Sequence, residues 1–185
     1  MCNLFAGLSY ILNVKQKYNP SDKGSKRSKK MGNKKKMEVI KNGEKNDVFT
    51  FESKLNFHLP DDYKEFLSKY DGVRFYNCEF YVNDIEQKVL MDVLYGLNGE
   101  KKYDIHKKND RFVNEIPKKS LVIGEDPGGT PILLINDEKN NGIYFFDSNY
   151  FFKQSSDEQN TYLIATTFTD FMNMLNVEDI LIERR

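Results

Sequence analysis

The segment Gly124-Glu-Asp-Pro-Gly-Gly129 gathers residue types that do chemistry in loops. Glycines let backbone N–H groups converge on an anion, and Glu125 and Asp126 are paired carboxylates that can hold a cation or exchange a proton. Neither Lys nor Ser follows as a phosphate loop requires, and two acids repel phosphate. The segment therefore reads first as a structural turn. His58 and His106 each lack the two or three further ligands, at helical or hairpin spacing, that a metal site needs. Cys78 and His106 have no flanking nucleophile motif. Neither a Ser elbow nor a Walker or dinucleotide fingerprint occurs. Cys2 and Cys78 form no CxxC or zinc-knuckle spacing and read as free thiols of a reducing compartment, the cytoplasm. These residues predict no enzyme, no cofactor and no metal.

Charge is a stronger signal. Ten of the 28 bases lie in residues 15–36 (Lys15, Lys17, Lys23, Lys26, Arg27, Lys29, Lys30, Lys34, Lys35, Lys36) with one of the 28 acids, Asp22, a local net of +9. After Lys36 the chain carries 18 bases against 27 acids, a net of −9. An acidic body attracts a basic partner surface and repels nucleic acid. The basic run reads as a solvated tail, with a sequence-blind nucleic-acid contact as its alternative. The apolar start Met1–Val14, joined to that run, could also rest on an anionic membrane face. No stretch approaches the roughly 20 apolar residues of a membrane span. Residues 1–46 are accordingly expected to be an extension, and 47–185 the folded domain.

Within that domain the periodicity places the elements. A short helix is expected around Phe49, Leu55 and Phe57. Pro60 suits the first turn of a second helix, Asp61, Asp62 and Glu65 favour its positive end, and Tyr63, Phe66, Leu67 and Tyr70 recur at one-face spacing until Gly72. Phe75–Val82 and Val89–Tyr95 read as two strands, and 103–111 as a short helix. Leu121–Ile123, Pro131–Ile135 and Ile143–Phe146 read as strands, with Asn141-Gly142 suited to a tight hairpin turn. After a last strand at Tyr162–Ala165, Thr167-Phe-Thr-Asp170 has capping-box spacing before Phe168, Phe171, Met172 and Leu175. Short connections between most strands predict an α+β fold, a central and mainly antiparallel sheet with helices packed at its N- and C-terminal ends.

The run Leu59-Pro-Asp-Asp-Tyr-Lys-Glu-Phe-Leu-Ser-Lys-Tyr-Asp-Gly72 resembles the opening helix of the SMI1/KNR4 family of the SUKH superfamily. Ile123–Thr130, Gly142–Asp147 and Ala165–Phe171 resemble its later blocks in the same order, so the likeness covers about residues 48–176. The chain departs in having Val73 where a second glycine often follows the helix, in lacking a late-strand Trp, and in its N-terminal extension. The resemblance implies an α+β domain without enzymatic activity. Bacterial members are similar to immunity proteins that bind and neutralise a polymorphic toxin, often a nuclease, while fungal relatives act in signalling and cell-wall regulation.

The expected function is thus a non-enzymatic immunity protein whose acidic surface covers a basic face of a cognate toxin. The alternative is a regulatory adaptor that the basic tail directs to a membrane or nucleic acid. The expected contacts are Asp61, Asp62, Asp84, Glu86, Glu125 and Asp126, with Tyr76 and Tyr81 as aromatic anchors.

Overall fold

The computed structural model describes residues 34–98, 102–137, 139–156 and 159–182. In chain order the elements are β1 (Lys36–Val39), α1 (Lys45–Glu52), α2 (Asp61–Lys69), β2 (Val73–Tyr76), β3 (Glu79–Val82), a 3-10 turn (Asn83–Ile85), β4 (Gln87–Leu90) and β5 (Val93–Leu94). There follow α3 (Ile105–Phe112), β6 (Ser120–Glu125), β7 (Pro131–Asn136), β8 (Asn141–Phe146), β9 (Thr161–Ala165), α4 (Phe168–Leu175) and β10 (Asp179–Ile182). Eight strands form one sheet in the order β10-β1-β2-β5-β6-β7-β8-β9, and β3 pairs with β4 in a separate hairpin. Every neighbouring pair is antiparallel except β1 with β10. This is the α+β arrangement that the alternation of elements predicted.

The fold starts earlier than residue 47. Strand β1 lies inside the sheet between β10 and β2, with Met37 and Val39 buried in the core. Lys36-Met-Glu-Val39 alternates polar outward and apolar inward, but four residues at the end of a basic run give too short a pattern to stand out. Residues 1–33, with the apolar start and most of the basic run, lie outside the described residues.

The strand expected at 75–82 is two strands. Asn77 takes a left-handed backbone, φ 59°, and turns the chain from the large sheet into the hairpin. The return at 91–92 splits the next expected strand in the same way. There Met91 N–H donates to Cys78 O and Phe75 N–H to Asp92 O. Asn141-Gly142 is not the hairpin turn. Asp137 makes that turn by accepting the N–H groups of Lys139 and Asn140 at 2.7 Å each, contacts that hold its carboxyl below the ordinary range. Gly142 sits instead in β8 with φ +145°, where a Cβ would come 2.5 Å from Ala165 O.

Helix α2 buries Tyr63, Phe66 and Leu67 as their spacing predicted. In α4 the Thr167 hydroxyl accepts the Asp170 N–H at 3.0 Å and donates to the Asp170 carboxylate at 2.7 Å, so the cap forms. Aromatic rings join the layers. Tyr63 and Phe66 of α2 meet Phe168 of α4 at 4.9 and 5.0 Å between centroids, and Phe171 meets Phe80 of the hairpin at 5.6 Å. Such pairs add to the area that each ring buries.

Candidate partner-binding surface

The β3–β4 hairpin has two unlike sides. Phe80, Val82, Ile85 and Val89 point inward, and Phe80 packs on Phe171 and Phe145. The register Glu79↔Leu90 and Tyr81↔Lys88 puts those four residues on the outward side. Tyr81 is 44% exposed and Leu90 38%. Lys88 reaches across to Glu79 at 2.7 Å and fixes the face between them. At the tip the 3-10 turn leaves Asp84 exposed, and Glu86 ends it in a left-handed conformation, φ 53°, that turns its carboxylate-bearing residue to solvent. The structure thus places Tyr81, Asp84 and Glu86 on one hairpin whose inner side is anchored in the core.

The other expected contacts lie on different elements. Tyr76 is on β2, half-buried, with its hydroxyl donating to Glu38 and Arg74 5.9 Å from its ring centroid. Burial, and then the Glu38 carboxylate, push its hydroxyl up to about 12. Asp61 is exposed at the start of α2 and pairs with Lys64 at 2.9 Å, which holds its carboxyl below the ordinary range. Asp62 is committed to the fold: its Oδ2 accepts the N–H and the hydroxyl of Thr169 in α4. Glu125 is half-buried, with both oxygens 2.9 Å from Lys108 Nζ.

Asp126 corrects the expectation of a surface acid. It is 8% exposed, and its Oδ1 accepts the N–H groups of Gly128 and Thr130, both at 2.8 Å. Burial raises its carboxyl above the ordinary range, and those N–H groups offset only part of that. The Gly124–Gly129 loop is therefore closed around its own carboxylate, as a turn.

Two acids that the sequence does not single out as site residues do similar work. Asp71 Oδ1 accepts the N–H groups of Leu97 and Asn98, and Lys41 lies 3.2 Å from Oδ2. Asp147, fully buried, accepts from Phe151 N, Phe152 N and Ser155 Oγ. Each follows or ends a regular element and precedes turn formers, the one local signal that marked it. Cys78 is buried against the carbonyls of Lys36 and Tyr76, and burial pushes its thiol up. His106 packs edge-on against Phe51 at 5.1 Å, and His58 lies 3.6 Å from Glu52. Among the described residues no group of three His, Cys, Asp or Glu side chains is placed to hold a metal ion, and no helix is long and apolar enough to cross a membrane.

Comparison with known proteins finds two matches. A SPbeta prophage-derived uncharacterized protein of Bacillus subtilis (strain 168), YokK, is 26% identical over 147 residues, which cover 70% of this chain and 72% of that protein. The profile of the SMI1 / KNR4 family (SUKH-1) matches residues 44–174, from the start of α1 to the end of α4. That match takes in well over half of the sequence, and the chain belongs to the SMI1/KNR4 family.

Proposed function

We propose that this domain is a non-enzymatic binding protein that neutralises a cognate polymorphic toxin in the cytoplasm, and that the outward side of the β3–β4 hairpin meets the toxin. The observation that carries the reading is the exposed outward side of that hairpin, which holds Tyr81 and Leu90, with the exposed Asp84 and Glu86 in the turn at its tip. An aromatic ring and a leucine beside carboxylates make an apolar anchor with an acidic rim, the composition of an interface hot spot. The net charge of −9 after Lys36 adds a long-range attraction for a basic partner. A toxin that acts on nucleic acid needs a basic cleft for phosphate, and an acidic cover fits it. Asp61 extends the acidic surface, whereas Asp62 and Asp126 are occupied by the fold.

The test is capture from the source cells with the full chain as bait at moderate salt, followed by the same capture with Tyr81→Ala/Glu86→Lys. Recovery of one basic toxin domain that the variant no longer holds is the expected result. Equal recovery by the variant would remove the hairpin from the interface. Recovery of envelope, cytoskeletal or signalling proteins in place of a toxin would favour an adaptor role.

A further inference from the structure

The loop between β8 and β9 is fixed from within by one carboxylate. Asp147, fully buried, accepts the N–H groups of Phe151 and Phe152 at 3.0 Å each, and the hydroxyl of Ser155. That hydroxyl lies 2.8 Å from the hydroxyl of Tyr162 in β9, and Asp147 N–H donates to Asn160 O at 2.8 Å across the base of the loop. A buried acid that gathers three donors holds its loop in one conformation. Phe152 packs on Phe145, and Phe145 on Phe80 of the hairpin, at 6.0 and 6.4 Å between centroids. The loop and the β3–β4 hairpin are thus joined through two ring contacts.

What this frame presents is not what a plain turn needs. Tyr150 and Phe151, adjacent in the chain, are 47% and 43% exposed. Tyr150 also takes a left-handed backbone, φ 51°, which glycine and asparagine adopt at little cost and a bulky aromatic residue seldom does. A turn that served only the fold would be better built with either of those two. Single exposed rings are ordinary, but a pair of them on a pinned loop, one at a costly backbone angle, marks a contact surface. Rings ordered in advance lose little freedom when a partner covers them. In the described part of the loop, residues 148–156, Lys153 is the one charged side chain, so the contact it offers is mainly apolar.

We infer that Tyr150 and Phe151 are a second pair of anchors for the same basic toxin domain, seated in an apolar recess of its surface while the acids of the hairpin meet its cations. This inference rests on the toxin-binding reading of the hairpin. Charge selects the occupant: the chain after Lys36 carries a net −9, so two such bodies repel each other and a basic partner is drawn in. Apolar anchors beside a charged rim are the composition of a specific interface.

Two measurements on the full chain with Tyr150→Asn/Phe151→Ser test this. In urea denaturation the variant should match or exceed the wild-type midpoint, because Asn suits the left-handed position and Ser suits water. A clearly lower midpoint would show that the rings serve the fold and would overturn the inference. In capture from the source cells at moderate salt, the variant should hold about tenfold less of the basic toxin domain than wild type does. A toxin domain held equally by this variant but lost by Tyr81→Ala/Glu86→Lys would overturn the inference and leave the hairpin reading standing. A wild-type chain that holds no toxin domain would overturn the two together. A mass by light scattering that is doubled in wild type and single in the variant would assign the rings to a second copy instead.

Discussion

Asp62 Oδ2 accepts the Thr169 backbone N–H at 2.8 Å and the Thr169 hydroxyl at 3.0 Å, so one carboxylate ties the first turn of α2 to the first turn of α4 across 107 residues of sequence. Its other oxygen accepts the N–H of Tyr63 at 2.9 Å. Asp62→Ala should therefore cost about 1.5–3 kcal/mol, the range for hydrogen bonds to a charged group. Asp61→Ala removes only an exposed, solvent-screened pair with Lys64 and should leave stability nearly unchanged. Urea denaturation of the two variants checks this, and equal effects would contradict the division of labour between the neighbouring acids.

Tyr63 is fully buried, and its hydroxyl has no hydrogen-bond partner among the described residues. Burial accordingly drives its ionisation far above the ordinary range. Removing an unsatisfied hydroxyl while keeping the ring recovers a desolvation penalty, so Tyr63→Phe should be neutral or stabilising by up to about 1 kcal/mol. A loss above about 1 kcal/mol in the same denaturation assay would mean that the hydroxyl has a partner.

Asp126 gives a pH dependence with a definite sign. Its carboxyl is raised in the folded state, chiefly by burial, above an ordinary value of 3.8. Its contribution to stability is fully present below that ordinary value and is lost as pH rises through the folded one. Asn at this position accepts the same two N–H groups without ionising. Asp126→Asn should thus be more favourable at pH 7 than at pH 3, read from denaturation midpoints at the two values. An effect equal at both would show that the carboxylate pays nothing for its burial.

For the proposed interface, Tyr81→Ala should weaken toxin binding by about 2 kcal/mol, roughly 30-fold in Kd, while the folding midpoint hardly moves. Asp84→Lys/Glu86→Lys should lower the association rate and flatten its dependence on salt. Surface plasmon resonance at two ionic strengths separates these effects. A variant that alters only dissociation would place the two acids inside the contact, not around it.

Much of this fold could be read from local pattern. Tyr63, Phe66 and Leu67 declare α2 because a stripe, a proline start and a glycine stop agree, and Thr167 with Asp170 does the same for α4. The break at Asn77 was hidden because β-favouring residues run on both sides of it. The inward positions shift there from odd to even, Val73 and Phe75 before and Cys78, Phe80 and Val82 after. Strands β1 and β10 were invisible for another reason: each has four residues, and their partners are set by pairing between opposite ends of the fold. At the candidate surface Tyr81, Asp84 and Glu86 share the hairpin because they are close in sequence, but nothing local separated them from the other expected contacts, which lie on other elements. Asp126 was misread because charge suggests solvent, although the Asp-Pro-Gly-Gly-Thr sequence already described a turn able to wrap its carboxylate.

The parallel pairing of β1 with β10 also orders events at the ribosome. Lys36 lines up with Asp179, so β1, the first strand among the described residues, has only β2 as a described neighbour until nearly the whole domain has been made. At cellular synthesis speeds that interval is on the order of ten seconds. During it, the nascent domain carries an open seam at β1, and translation that stalls before β10 leaves Met37 and Val39 with one flank uncovered for any chaperone or protease to find.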